Sequence, residues 1–178
     1  MVDYQFVYDS MGKGEDVFFE LFERLYAAPL DDKKQREVFC EFMFLAISNN
    51  LSSAVRKMVR EHNPMTLKEL NLCVCNNEHT FLTFAVQNAD KFKIDEDTPV
   101  HALLDSGLDV NKENSNGMFP LSIAAKQSNA PLVQFLLTKG AMIHIDTGDG
   151  SPAAIARHFA DPNVLYFMEN AESAQAHP

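Results

Sequence analysis

The strongest constraint on this chain is that it repeats itself. Leu103-Leu104-Asp105-Ser106-Gly107 returns 33 residues later as Leu136-Leu137-Thr138-Lys139-Gly140. Phe119-Pro120-Leu121-Ser122-Ile123-Ala124 returns 32 residues later as Ser151-Pro152-Ala153-Ala154-Ile155-Ala156, and Thr80-Phe81-Leu82-Thr83-Phe84-Ala85 precedes it by 39. Ala46 to Val59 lies on Ala124 to Leu137 at an offset of 78 without a gap. Such a period governs the fold, because a unit this short cannot bury its apolar face alone and must stack on its neighbours.

Gly117-Met118-Phe119-Pro120-Leu121-Ser122-Ile123-Ala124-Ala125, followed by Leu132-Val133-Gln134-Phe135-Leu136-Leu137-Thr138-Lys139-Gly140-Ala141, resembles the ankyrin repeat pattern Gly-x-Thr-Pro-Leu-His-x-Ala-Ala then Val-x-x-Leu-Leu-x-x-Gly-Ala. Leu108-Asp109-Val110-Asn111 stands where that family has Ala-Asp-Val-Asn. The resemblance implies an all-α solenoid of helix-turn-helix pairs joined by short β-hairpin fingers. Pro120 and Pro152 suit a first helical turn, where an amide has no intrahelical partner, and Gly107 and Gly140 suit the left-handed stop after a second helix. Thr98-Pro99 reads as the start of the second helix of the second repeat, since taking it as the start of a repeat leaves only 21 residues before Pro120.

Four repeats are expected, near 37–70, 71–111, 112–146 and 147–170, the first and last degenerate. The repeat domain is thus 37–170, after an N-terminal segment 1–36 and before a flexible tail 171–178. Val17, Phe18, Leu21, Phe22, Leu25 and Tyr26 recur at helical spacing, and this amphipathic helix is expected to cap the first repeat. Thr66-Leu67-Lys68-Glu69-Leu70 adds about a turn between the first two repeats, and a six-residue insertion falls within Gln87 to Asp97. The histidine that usually follows Pro-Leu in the family is replaced by Thr83, Ser122 and Ala154, so the fingers are expected to be anchored differently.

Composition narrows the partners. Fifteen Lys and Arg against 25 Asp and Glu give a net charge of −10, and such a surface repels phosphate backbones and anionic lipid. No apolar run reaches the roughly 18 residues of a membrane span, and the N-terminal residues lack the pattern of a secretory signal. The three cysteines, Cys40, Cys73 and Cys75, argue against a disulfide framework and for a reducing compartment. A cytoplasmic protein is expected, a monomer or one member of a hetero-complex, with delivery into another cell left open. Acidity is concentrated in 1–40, 77–111 and 149–178, an arrangement suited to docking a basic protein.

No residue pattern points to chemistry. Cys73, Cys75 and His79, with Cys40 distant, are possible zinc ligands, but paired zinc cysteines are usually separated by two to four residues and alternate residues of a strand face opposite sides. His144 and Asp146 fall on a finger, and Gly12-Lys13-Gly14 lacks phosphate-loop spacing. No catalytic, metal or cofactor residue is therefore assigned; an enzyme or metal-binding protein with its site in the atypical segment 66–97 is the alternative. The resemblance instead places partner-binding residues on the fingers and late first helices: Asn76, Asn77, His79, Gln87 and Asn88; Ser115, Asn116, Met118, Lys126 and Gln127; Thr147, His158 and Phe159. Ser48 and Asn49 extend this neutral polar row. Met118 and Phe159 are the expected anchors, and Asp95, Glu96 and Asp97 form an expected electrostatic rim. The function implied is non-enzymatic protein binding, as an inhibitor, an immunity-type antidote or a secreted bacterial effector.

Overall fold

The computed structural model describes residues 14–75, 78–90, 97–145, 150–159 and 161–175. Their core is one row of helices. α1 (Glu15–Tyr26) is followed by the pairs α2 (Asp32–Ser48) with α3 (Ser52–Glu61), α5 (Phe81–Gln87) with α6 (Pro99–Asp105), α7 (Pro120–Lys126) with α8 (Ala130–Thr138), and α9 (Pro152–Phe159) with α10 (Pro162–Gln175). A short α4 (Leu67–Leu72) and a hairpin of β1 (Val74–Cys75) and β2 (His79–Thr80) lie between the first two pairs. First helices stack on first helices, α2 on α5 on α7 on α9, while α3 meets α6 and α8 meets α10 in a second layer.

Equivalent residues build equivalent turns. Asn50 and Ser128, 78 residues apart, both adopt left-handed backbone, at φ 55° and 53°. Around them Leu51 N–H donates to the Ala46 carbonyl and Asn129 N–H to the Ala124 carbonyl, closing the α2–α3 and α7–α8 turns alike. The second helices end alike as well. Gly107 (φ 90°) and Gly140 (φ 88°) follow α6 and α8. Leu108 N–H bonds the Leu103 carbonyl and Gly107 N–H that of Leu104; Ala141 and Gly140 repeat this with Leu136 and Leu137. These are paired Schellman stops, and glycine occupies the position where a side chain would oppose the left-handed φ.

Helix α1 closes one end of the row. Phe18, Phe19 and Phe22 are buried, with Phe18 and Phe22 each 5.4 Å from the Phe42 ring on α2. Leu51 at the start of α3 offers no capping side chain. Glu15 supplies the cap from α1: its carboxylate accepts from Ala54 N–H at 2.6 Å and from the Ser53 hydroxyl at 2.9 Å. Two boundaries differ from the expected ones. α2 begins at Asp32, before position 37, because Asp31 caps it through Lys34 N–H. α10 continues to Gln175, into the segment expected to be a flexible tail; Val164 and Met168 pin the helix to the core, and the described residues end at 175.

The fingers are less regular than a set of hairpins. Only one pairs as strands among the described residues, with Val74 opposite Thr80 and Cys75 opposite His79. The next is an Asx turn, in which buried Asn114 accepts from Asn116 N–H and Met118 N–H, both at 2.9 Å. Anchoring departs from the family pattern as the missing histidines suggested. In the second repeat Thr80 and Thr83 join hydroxyls at 3.0 Å, and Thr83 N–H donates to the Thr80 hydroxyl. In the third, the Ser122 hydroxyl is buried and has no hydrogen-bond partner among the described residues.

Candidate functional site

The sequence-selected residues fall into two groups on the first-helix side. The finger group is His79, Ser115, Asn116 and Met118. Asn114 holds it together: besides its two backbone bonds, its Nδ2 lies 3.5 Å from His79 Nδ1. Ser115 N–H donates to the Glu78 carbonyl at 3.0 Å, so the second and third fingers are hydrogen-bonded to each other. Ser115 and Asn116 are exposed, while His79 and Met118 are half-buried.

The second group follows the ends of the first helices. Lys126 on α7 and His158 and Phe159 on α9 line an open groove of about 400 Å³ together with Ala154 and Ile155. Phe159 is 45% exposed, and its ring stands edge-on to His158 at 5.3 Å. Lys126 Nζ lies 3.8 Å from Met118 Sδ, connecting this groove to the third finger.

Other members of the row have internal roles. Asn88 Nδ2 donates to its own helix at Phe84, Gln127 Nε2 donates to the Gln87 carbonyl, and Ser48 and Asn49 turn back to Phe44 and Leu45. The Gln127–Gln87 bond ties α7 to α5, so Gln127 serves the stack as well as the surface. Asn76, Asn77 and Thr147, with Asp95 and Glu96 of the expected rim, lie outside the described residues.

Asp97 lies in the second-helix layer. Its carboxylate accepts from the Ser52 hydroxyl at 2.6 Å at the start of α3, and it shares a surface hollow with Arg56, Lys57 and Arg60. Along this layer Asp105 on α6 binds Arg56 of α3 at 3.3 Å and Lys139 beyond α8 at 3.1 Å. The Lys139 ammonium, with help from Arg56, holds the Asp105 carboxyl below its ordinary range.

Sequence reasoning missed the residues that organise the site. Asn114 was legible as the first residue of Asn114-Ser115-Asn116-Gly117, a turn pattern in which an amide side chain accepts from the backbone two residues on. Asn71 and Asn111 were not: Asn71 Oδ1 accepts from Asp109 N–H, and Asn111 bridges Met142 N–H and the Gly140 carbonyl. Asn71 joins the start of the second repeat to its end, and Asn111 crosses to the third repeat, contacts that local sequence does not reveal.

Stacked helix pairs carrying preformed fingers define a repeat solenoid, a class whose working part is a surface. Among the described residues no three His, Cys, Asp or Glu side chains group as metal ligands, and no helix is long and apolar enough to cross a membrane. A family model described as ankyrin repeats (3 copies) matches residues 42–149, and the chain belongs to the ankyrin repeat proteins. That fold is generally a non-enzymatic interaction module. No curated protein matches the chain.

Proposed function

We propose that this chain is a stoichiometric, non-catalytic binder of a basic protein, which it engages through the fingers and the first-helix face in the cytoplasm. The observation that supports this most directly is the continuity from the Asn114-braced finger through Met118 and Lys126 to the Phe159 groove. Such a surface is ordered before it binds, so little conformational entropy is lost on docking. Its centre offers a thioether and an exposed aromatic ring among neutral polar groups, a composition suited to the desolvated middle of an interface. The net charge of −10 favours a cationic partner through long-range attraction. Inhibitor, antidote and delivered effector are roles such a binder can fill, and its partner decides among them.

The test is affinity capture with the full chain, run beside Met118→Ala and Phe159→Ala. The proposal expects one basic protein at one-to-one stoichiometry, lost or faster-dissociating in both variants while their melting temperatures hold. A partner retained equally by all three chains, or an acidic one, overturns it.

A further inference from the structure

Cys40 and Cys73 were expected to be separate reduced thiols. The fold brings them together: Cys40 on α2 and Cys73 at the end of α4 place their Sγ atoms 2.7 Å apart, both free and half-buried. An independent contact holds this geometry one turn earlier on each helix, where Arg36 and Glu69 pair at 2.8 Å. Glu69 also closes a capping box with Thr66, whose N–H and hydroxyl both donate to its carboxylate. Two rungs of equal spacing, 36 with 69 and 40 with 73, therefore align α4 with α2 before any covalent bond exists.

We propose that Cys40 and Cys73 form a redox modification site, a dithiol that a small-molecule disulfide converts to an intramolecular bond. In the first step the Cys73 thiolate attacks one sulfur of the reagent, whose S–S bond breaks and releases one thiolate. In the second, Cys40 gives its proton to water and attacks Cys73 Sγ, expelling the second thiolate. The released thiolates take up two protons, so the protein is oxidised by two electrons and the reagent is reduced to two thiols. The order follows from the pair itself. The shared sulfur–sulfur hydrogen bond holds the Cys73 thiol below its usual range, while the same bond and burial push Cys40 up. The thiolate is the attacking species in such exchange.

The consequence falls on the second finger. β1 begins at Val74, directly after Cys73, so the bond would fix the base of the hairpin that carries His79. This inference does not depend on the partner proposed above, because its readouts come from the isolated protein.

The experiment uses the full chain carrying Cys75→Ser, treated with oxidised glutathione at neutral pH. Expected are the loss of two hydrogen masses without a retained adduct, a non-reduced peptide linking Cys40 to Cys73, and a rise in melting temperature that a reductant reverses. Cys40→Ser in that background should keep a stable glutathione adduct on Cys73, and Cys73→Ser should react at least about tenfold more slowly. Circular dichroism checks that each variant is folded. A stable mixed disulfide on the Cys40–Cys73 pair overturns the proposal, as does a Cys73–Cys75 link in the unsubstituted chain. So does stoichiometric zinc in the unsubstituted protein that blocks oxidation, an outcome that assigns the cysteines to a metal site.

Discussion

Replacing Asn114 by Ala should loosen the third finger without touching the helical core. The side chain is 5% exposed and its Oδ1 accepts two backbone N–H groups at 2.9 Å, from Asn116 and Met118. At about 0.5–1.5 kcal/mol net for each hydrogen bond, the loss comes to roughly 1–3 kcal/mol. For a domain of this size a central value near 2 kcal/mol lowers the melting temperature by about 4–8 °C. Amide exchange locates the effect, because the Asn116 and Met118 amides should lose protection while Leu132 and Val133 on α8 keep theirs. Asn114→Asp retains the acceptor and should keep most of that protection. If Asn114→Ala leaves both amides protected, or if the aspartate variant is as destabilised as the alanine one, the Asx turn is not what shapes this finger.

Other expectations concern core, surface and pH. Leu136→Ala removes a fully buried side chain and should cost about 2–5 kcal/mol in denaturant unfolding. Ser122→Ala removes a buried hydroxyl without a partner among the described residues, so its unfolding free energy should be unchanged or up to about 1 kcal/mol higher, and a clear loss would reveal a missed hydrogen bond. Asp105→Asn should lower stability at neutral pH by less than about 1 kcal/mol, since the ion pairs are exposed. The folded Asp105 pKa lies below the usual 3.8, so its stabilisation is present above that value and disappears as pH falls through the folded pKa; wild type and variant melting curves should converge at the acid end. Neutralising Asp95, Glu96 and Asp97 as Asn, Gln and Asn should slow association with a basic partner at low salt. The Ser52 bond to Asp97 means that melting must be compared as well.

What the sequence disclosed was whatever recurs. The offset of 78 between the first and third pairs anticipates the shared left-handed turns at Asn50 and Ser128, and Thr98-Pro99 correctly marks the start of α6, a helix packed against α3. Contacts made once were hidden. Glu15 reaching Ala54, Cys40 reaching Cys73, and Asp97 turning to Ser52 rather than to the fingers each join segments whose spacing no second repeat reproduces. Asp97 illustrates the limit most clearly, because local acidity described its charge but only the stack determines which layer receives it.

The cap that Glu15 places on α3 carries an ordering in time. Glu15 precedes Ala54 by 39 residues, and a chain leaves the ribosome from its N-terminal end, where structure generally forms first. The acid that terminates α3 is therefore synthesised before the helix that needs it. As Ser52 to Glu61 emerges, its exposed amides can find a carboxylate already tethered upstream, and growth of the array proceeds from a closed end. A nascent chain lacking Glu15 would begin that growth with an open helix terminus, so its defect should be larger in folding during translation than in refolding of the finished chain.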